Sequence, residues 1–481
     1  MGAREGGKAP PEEVRAVLAT IGKVEPVLVE NVVLPSLTGE GGELPDGPAE
    51  PVYDRQARDD IQGNIIPGFN KDHQHFVFYR IRSKRATKTW LRLIAPAISS
   101  LDDVLNFVRL HRSLRHRFGS KEPGLLKSTW VNIAFSNAAI AKLVGEQDAA
   151  EFGDESFRQG MAARSRYLGD PAKPTHPGNV SKWVVGGPRN EADIMVIAAA
   201  DDPHDLDAAV ALIRAGALEH KLKLLFEQRG DTLPEPLRGH EHFGFKDGVS
   251  QPGVRGKVSA APGDFITPRY IDPADPRARL FARPGQLLVW PGQFLLGEPR
   301  QDPQSIFKAA APATNFPAWA RRGSYLVFRR LRQDVPAFWN FVIESAAALG
   351  MSSERFASML VGRWPSGAPL MRTPDRDDPV LAGDSWANNH FVFDDDTRPS
   401  NLRAIAGYPG DHAPQAKADV LGGVCPHFAH IRKSNPRDSA TDLGRPADAL
   451  IRAILRRGIP FGPPLAGVNG HPPNSEGKSG A

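Results

Sequence analysis

Thirteen consecutive residues, Cys425-Pro426-His427-Phe428-Ala429-His430-Ile431-Arg432-Lys433-Ser434-Asn435-Pro436-Arg437, gather a thiol, two imidazoles and three cations. The chain has no other cysteine and only 14 histidines, so metal or metallocofactor chemistry is sought here first. Two histidines at i and i+3 preceded by a thiol could converge on one ion, since imidazole is the commonest side-chain metal ligand. The same stretch equally suits one axial imidazole on a haem iron, with Arg432, Lys433 and Arg437 available to pair with acidic propionates. The ordinary reading, a polar loop whose histidines only form hydrogen bonds, stands beside both.

A second candidate lies in His242-Phe243-Gly244-Phe245-Lys246-Asp247-Gly248-Val249-Ser250-Gln251-Pro252. Gly244 and Gly248 allow positive φ and close backbone approach, which would hold the Asp247 carboxylate rigidly against a flat ligand. Asp-Gly is also a common turn pair, so taken alone Asp247 reads as a turn residue. Downstream, Ile454-Leu455-Arg456-Arg457-Gly458-Ile459-Pro460-Phe461-Gly462 carries an arginine pair on a stretch whose apolar spacing fits helix or strand.

These residues need a scaffold. At 481 residues the chain is long enough for two to four domain-sized units or one duplicated architecture. A formal charge of +5 and no basic stripe interleaved with aromatics argue against nucleic-acid binding. One cysteine excludes an intramolecular disulfide. No apolar run of spanning length and no export signal is legible, so no membrane span and a cytoplasmic location are expected.

Residues 1–56 read as a flexible Pro/Gly/Glu-rich arm with one short helix near Pro11 to Ile21. Strands are expected over His75–Ile81, Trp130–Phe135, Asp193–Ala200 and Lys221–Gln228, with helices near Leu101–Leu110, after Ser136 through Leu143, and over His204–Ala215. That order suggests a ferredoxin-like α+β unit interrupted by an insertion at about 145–190. Further on, Gln286–Trp290 and Gly323–Leu331 read as strands, the latter the clearest in the chain. Pro336–Leu349 and Met351–Leu360 read as helices, the second ending in a turn at 361–367.

GFxDG, then CPxxAHIRKxNPR, then RRGIPxG, together with DIQGNI at 60–65, GSYLVFRRL at 323–331 and VGRWPSGAPL at 361–370, resemble the dye-decolourising peroxidase family in order and over most of the chain. The resemblance implies an α+β fold of two ferredoxin-like halves (dimeric α+β barrel-type architecture) with long insertions, the halves at 57–255 and 256–465 and a tail at 466–481. It implies one haem b per chain, hydrogen peroxide as oxidant and small-molecule electron donors such as dyes and phenols, and it leaves the oligomeric state open.

By motif position, His430 would be the proximal iron ligand, Asp247 the distal acid-base residue and Arg456 the distal cation, with Arg457 next in line. Phe245, Gly248 and Arg432 would border the cofactor, and His427 carries no family role. A carboxylate acid-base group implies an acidic activity optimum. The family's C-terminal strand and helix, and the carboxylate that receives the proximal imidazole N–H, are not matched after Gly462. Hence a weakened, non-catalytic haem protein is the alternative, with Asp394-Asp395-Asp396 as a substitute source of that carboxylate.

Overall fold

The computed structural model describes residues 23, 49–118, 126–246, 248–261, 263–394, 417–439 and 446–464. The helix expected at Pro11 to Ile21, Asp247, Asp395, Asp396 and the tail at 466–481 lie outside them. The chain divides into two compact units: 1–34, 55–231 and 314–326 form the first, while 35–54, 232–313 and 327–481 form the second. The division thus falls after Asp231 rather than near residue 256, and 314–326 returns to the first unit.

The first unit is built on β1 (His73–Arg80), α1 (Lys84–Ile94), α2 (Leu101–Phe118), β2 (Thr129–Phe135), α3 (Asn137–Leu143), β3 (Ile194–Ala200), α4 (Pro203–Glu219) and β4 (Lys223–Asp231). The four strands form one antiparallel sheet in the order β2-β3-β1-β4. Val77 faces Val196 on one side and Glu227 on the other. β3 reads Ile-Met-Val-Ile-Ala-Ala-Ala and is buried along its whole length, as expected of a central strand covered on both faces. Val77, Tyr79 and Val196 pack with Trp90 and Ile94 of α1 and Ile213 of α4. Each such side chain, fully buried, contributes about 1.5–3 kcal/mol.

The sheet order and the helices behind it are the ferredoxin-like arrangement that the strand spacing implies. Helix α1 is the element that the periodicity did not reveal. Its start is nonetheless marked by Ser83, whose hydroxyl accepts from Ala86 N.

Helix starts here follow their caps. Ser136 Oγ accepts from Ala139 N at α3. At α4, Asp202 Oδ1 accepts from His204 N, Oδ2 accepts from Lys127 Nζ, and Pro203 takes the first helical position. The Lys127 hydrogen bond and then the backbone N–H groups hold the Asp202 carboxyl down at about 2, below its ordinary 3.8. Asp202 therefore stabilises the unit fully above pH 3.8, and that contribution is lost as pH falls toward 2. An Asp202→Asn variant should show a shallower loss of thermal stability than the parent between pH 4 and 2; parallel profiles would contradict this.

The second unit departs from expectation. Its strands are short: β5 (Gly253–Val254) pairs in parallel with β6 (Leu288–Val289), and β7 (Arg300–Gln301) pairs antiparallel with β8 (Ala309–Ala310). No second four-stranded ferredoxin-like sheet is present among the described residues. The stretch 323–331 is extended but belongs to no β-ladder there, because β propensity becomes a strand only when another strand supplies hydrogen bonds. Helices α5 (Val335–Ala348) and α6 (Ser353–Val361) form as expected, capped by Asp334 and Ser352. They pack through Trp339, Val342 and Phe356 around Phe245.

Candidate active site

The four motif stretches of the second unit converge on Ser250 and Asn389. Ser250 Oγ donates to Asn389 Oδ1 at 2.6 Å and accepts from Arg363 Nη2 at 2.8 Å and Arg437 Nη2 at 3.1 Å. The same Asn389 oxygen accepts from both guanidinium groups, at 3.1 and 3.2 Å. The Phe391 ring contacts both cations, 4.9 Å from Arg363 and 4.5 Å from Arg437. Ser250 O accepts from Arg456 Nη2 at 2.8 Å, and the Gln251 amide pairs with both backbone groups of Arg456. In this way the end of the GFxDG loop is bound to the Trp-Pro turn, the Asn-Pro-Arg loop and the Arg-Arg-Gly segment.

Arg437 is the unusual member. It is buried, it has positive φ (54°), and its Nε has no partner. It forms no ion pair with a carboxylate among the described residues; its bonds go to Asn435 O, Ser250 and Asn389. Burial, the largest cause, pushes its pKa down to about 10. A buried cation satisfied only by neutral groups is costly, so this position favours an incoming anion.

The imidazole loop is held from within. Asp419 accepts from the backbone N–H of Gly423, Val424 and Cys425. Buried Arg432 donates to Asp419 O and Cys425 O, each at 2.8 Å, and lies over the Phe393 ring. The loop then enters the short helix α7 (His430–Ser434), which leaves His430 exposed at its start.

Gly362 ends α6 in the left-handed region (φ 91°), and a Cβ there would come within 2.1 Å of Ile431 Cγ2. Gly362→Ala should therefore lower stability by about 1–3 kcal/mol through overpacking, in addition to left-handed strain. Because Ile431 adjoins His430, the variant should also disturb that imidazole. A thermal melt indistinguishable from the parent would contradict the packing argument.

Residues 60–234 match the family described as the DyP dimeric alpha+beta barrel domain. A dye-decolorizing peroxidase of Mycena epipterygia is 30% identical over 433 residues, covering 87% of this chain and 68% of that protein. The chain belongs to the dye-decolorizing peroxidase family. The dye-decolorizing peroxidase msp1 of Mycetinis scorodonius is 33% identical over 411 residues, which cover 84% of this chain and 64% of msp1. The chain thus spans about two thirds of the length of such relatives. A solved dye-decolorizing peroxidase complex with 2,6-dimethoxyphenol is similar at a TM-score of 0.60 and 28% identity, over 85% of this chain and 76% of that one.

Within this peroxidase-family site, the residues singled out by sequence fall into three groups. Arg456 and Gly248 belong to the converging loops; Arg456 is half-buried and Gly248 has φ 82° with open space where a Cβ would stand. Arg457 is pushed down to about 10 by burial. Phe245 is core, and its backbone N–H donates to Glu241.

Arg432 does not stand open toward a ligand, because its Nη groups are engaged by its own loop and Asp394. Asp394 in turn accepts from Ser439, so it is spent within this loop rather than on His430. The three-ligand metal arrangement fails on geometry. Cys425 is buried with its thiol pushed up to about 12, mainly by that burial, while His427 and His430 are exposed.

Ser250, Arg363, Asn389 and Phe391 were missed as site residues. Ser250 and Arg363 sit inside quoted motifs, but Asn389 and Phe391 sit in none. His242 also acquires a place, buried with Nε2 2.9 Å from Phe461 O. Nε2 therefore donates to that carbonyl, and buried Nδ1 has no partner.

Proposed function

We propose that this chain is a haem-dependent peroxidase that binds one haem b, reduces hydrogen peroxide and oxidises dyes and phenols in one-electron steps. The observation that carries this reading is buried Arg437, a cation with an unpartnered Nε and no carboxylate partner among the described residues, in the loop that carries His430. The donor set fits the group: the accessible imidazole of His430 for the iron and a guanidinium pair suited to a propionate. A relative solved with 2,6-dimethoxyphenol supports phenols as donors.

Haem, when bound, would supply redox-active iron for the reduction of peroxide. His430 would hold the iron, and Arg437, with Arg363 beside it, would hold a propionate. Asp247, as carboxylate, would take a proton from one peroxide oxygen and return it to the other. Arg456 would stabilise negative charge on the oxygen that departs, and its tie to Ser250 O and Gln251 fixes it in place.

Titrating haemin into the purified chain should produce a Soret band with one equivalent bound. His430→Ala should weaken binding by at least the 10–100-fold typical of losing a supporting group around a metal. Equal affinity and an unchanged spectrum in the variant would remove His430 as the axial ligand.

A further inference from the structure

Ser250 stands where two sets of cations meet, and its hydroxyl is fully committed. A hydroxyl has one proton to give and two lone pairs to fill. The proton goes to Asn389 Oδ1 at 2.6 Å, and the lone pairs accept from Arg363 Nη2 at 2.8 Å and Arg437 Nη2 at 3.1 Å. All three partners are buried, and Asn389 is anchored in turn by donating Nδ2 to Gly285 O at 2.9 Å. The Ser250 carbonyl points the other way chemically, accepting from Arg456 Nη2 at 2.8 Å.

The main chain alone does not fix that carbonyl. Residues 249–252 make no main-chain-to-main-chain hydrogen bond with any described residue, and the ladder of β5 begins only at Gly253, whose N–H donates to Leu287 O. Side chains hold the loop instead. Gln251 pairs with the backbone of Arg456, Oε1 accepting at 3.1 Å and Nε2 donating at 3.2 Å. The Ser250 hydroxyl is the stronger anchor, because two of its three bonds come from charged donors.

We propose that Ser250 is a positioning residue for Arg456: Arg363, Arg437 and Asn389 fix its hydroxyl, the hydroxyl fixes its carbonyl, and the carbonyl aims the Arg456 guanidinium. The inference rests on the role proposed for Arg456 toward the departing oxygen. Charge gives the arrangement its purpose. Burial, and with it the charge of Arg456, lowers the Arg437 pKa, so the two guanidinium groups repel each other. One residue that accepts from both, through different oxygens, keeps them near without letting them turn apart.

A cycle of Ser250→Ala, Arg456→Leu and the double variant tests it. In the haem-free chain, the Arg456 amide should exchange at least about tenfold faster in Ser250→Ala, the effect of losing a hydrogen bond to a charged group. In the haem-loaded chain, Arg456→Leu should slow the reaction with peroxide by about 10²–10³-fold and Ser250→Ala by about tenfold or more. Adding Ser250→Ala to Arg456→Leu should cost less than about twofold further, because the group it positions is already gone. Haemin affinity in Ser250→Ala should match the parent, since Arg363 and Arg437 keep their bonds to Asn389 Oδ1. Should Ser250→Ala not fold, Ser250→Cys takes its place, keeping the volume with only a weak donor and acceptor. Unchanged exchange, fully multiplying effects in the double variant, or haemin affinity lowered at least about tenfold, as on losing a group that supports a metal, would overturn the proposal and leave Arg456 its role. Arg456→Leu as fast as the parent would overturn both.

Discussion

Asp247→Asn is expected to reduce peroxide-driven dye oxidation by about 10²–10⁴-fold, the range lost with a positioned acid-base group. The amide keeps the size of the carboxylate but can neither take a proton from the inner peroxide oxygen nor return it to the outer one. Haem uptake should be unchanged, because the residues proposed to hold it, His430, Arg437 and Arg363, stand on other loops. Its described neighbours are fixed: Lys246 N donates to Pro365 O, Gly248 has φ 82°, and Ser250 joins the arginine cluster. Only the ionised carboxylate is competent, so activity should fall as pH drops through its pKa. Stopped-flow mixing with peroxide over a pH series reads both effects. A variant as fast as the parent would show that Asp247 is not the proton carrier.

The second large effect lies away from the chemistry. Glu50 is buried in the second unit, where its carboxylate accepts from Arg269 Nη2 at 2.8 and 2.7 Å, from Arg255 Nη1 at 3.2 Å and from Gly256 N at 2.8 Å. Burial, the largest cause, pushes Arg269 down to about 10 even with Glu50 beside it. Removing the carboxylate strands two desolvated cations, so Glu50→Ala should destabilise the unit by about 3–5 kcal/mol. Denaturant unfolding measures this directly. A loss below about 1 kcal/mol, the scale of an exposed pair, would mean that water reaches the arginines. Replacing all three residues with apolar side chains of matched volume should cost less than the single change, because no charge is then left alone.

How far these features could be read from the sequence depends on what fixes each one. The first sheet was legible because Ile194–Ala200 and His73–Arg80 carry their own signature, continuous apolar or β-branched runs, with Ser136 marking the helix that follows β2. The stretch 323–331 carries the same signature, yet its strand depends on a partner that residue types cannot reveal. Arg432 illustrates the limit for side chains, since sequence shows a cation but not that Asp419 and Cys425 carbonyls occupy it. Asn389 is the converse, an amide with no pattern around it whose oxygen accepts from two buried guanidinium groups and Ser250. His430 and Arg456 were singled out by motif order, and Arg437 by its place in the same loop as His430.

The most direct test of the central claim is an absorption spectrum of the folded, purified chain after one equivalent of haemin and then one of hydrogen peroxide, with 2,6-dimethoxyphenol present as donor. The account predicts a Soret band on haemin addition, its rapid shift on peroxide, and its return as the phenol is oxidised. A folded chain that takes up no haemin, or takes it up and leaves peroxide and phenol unchanged, would contradict it.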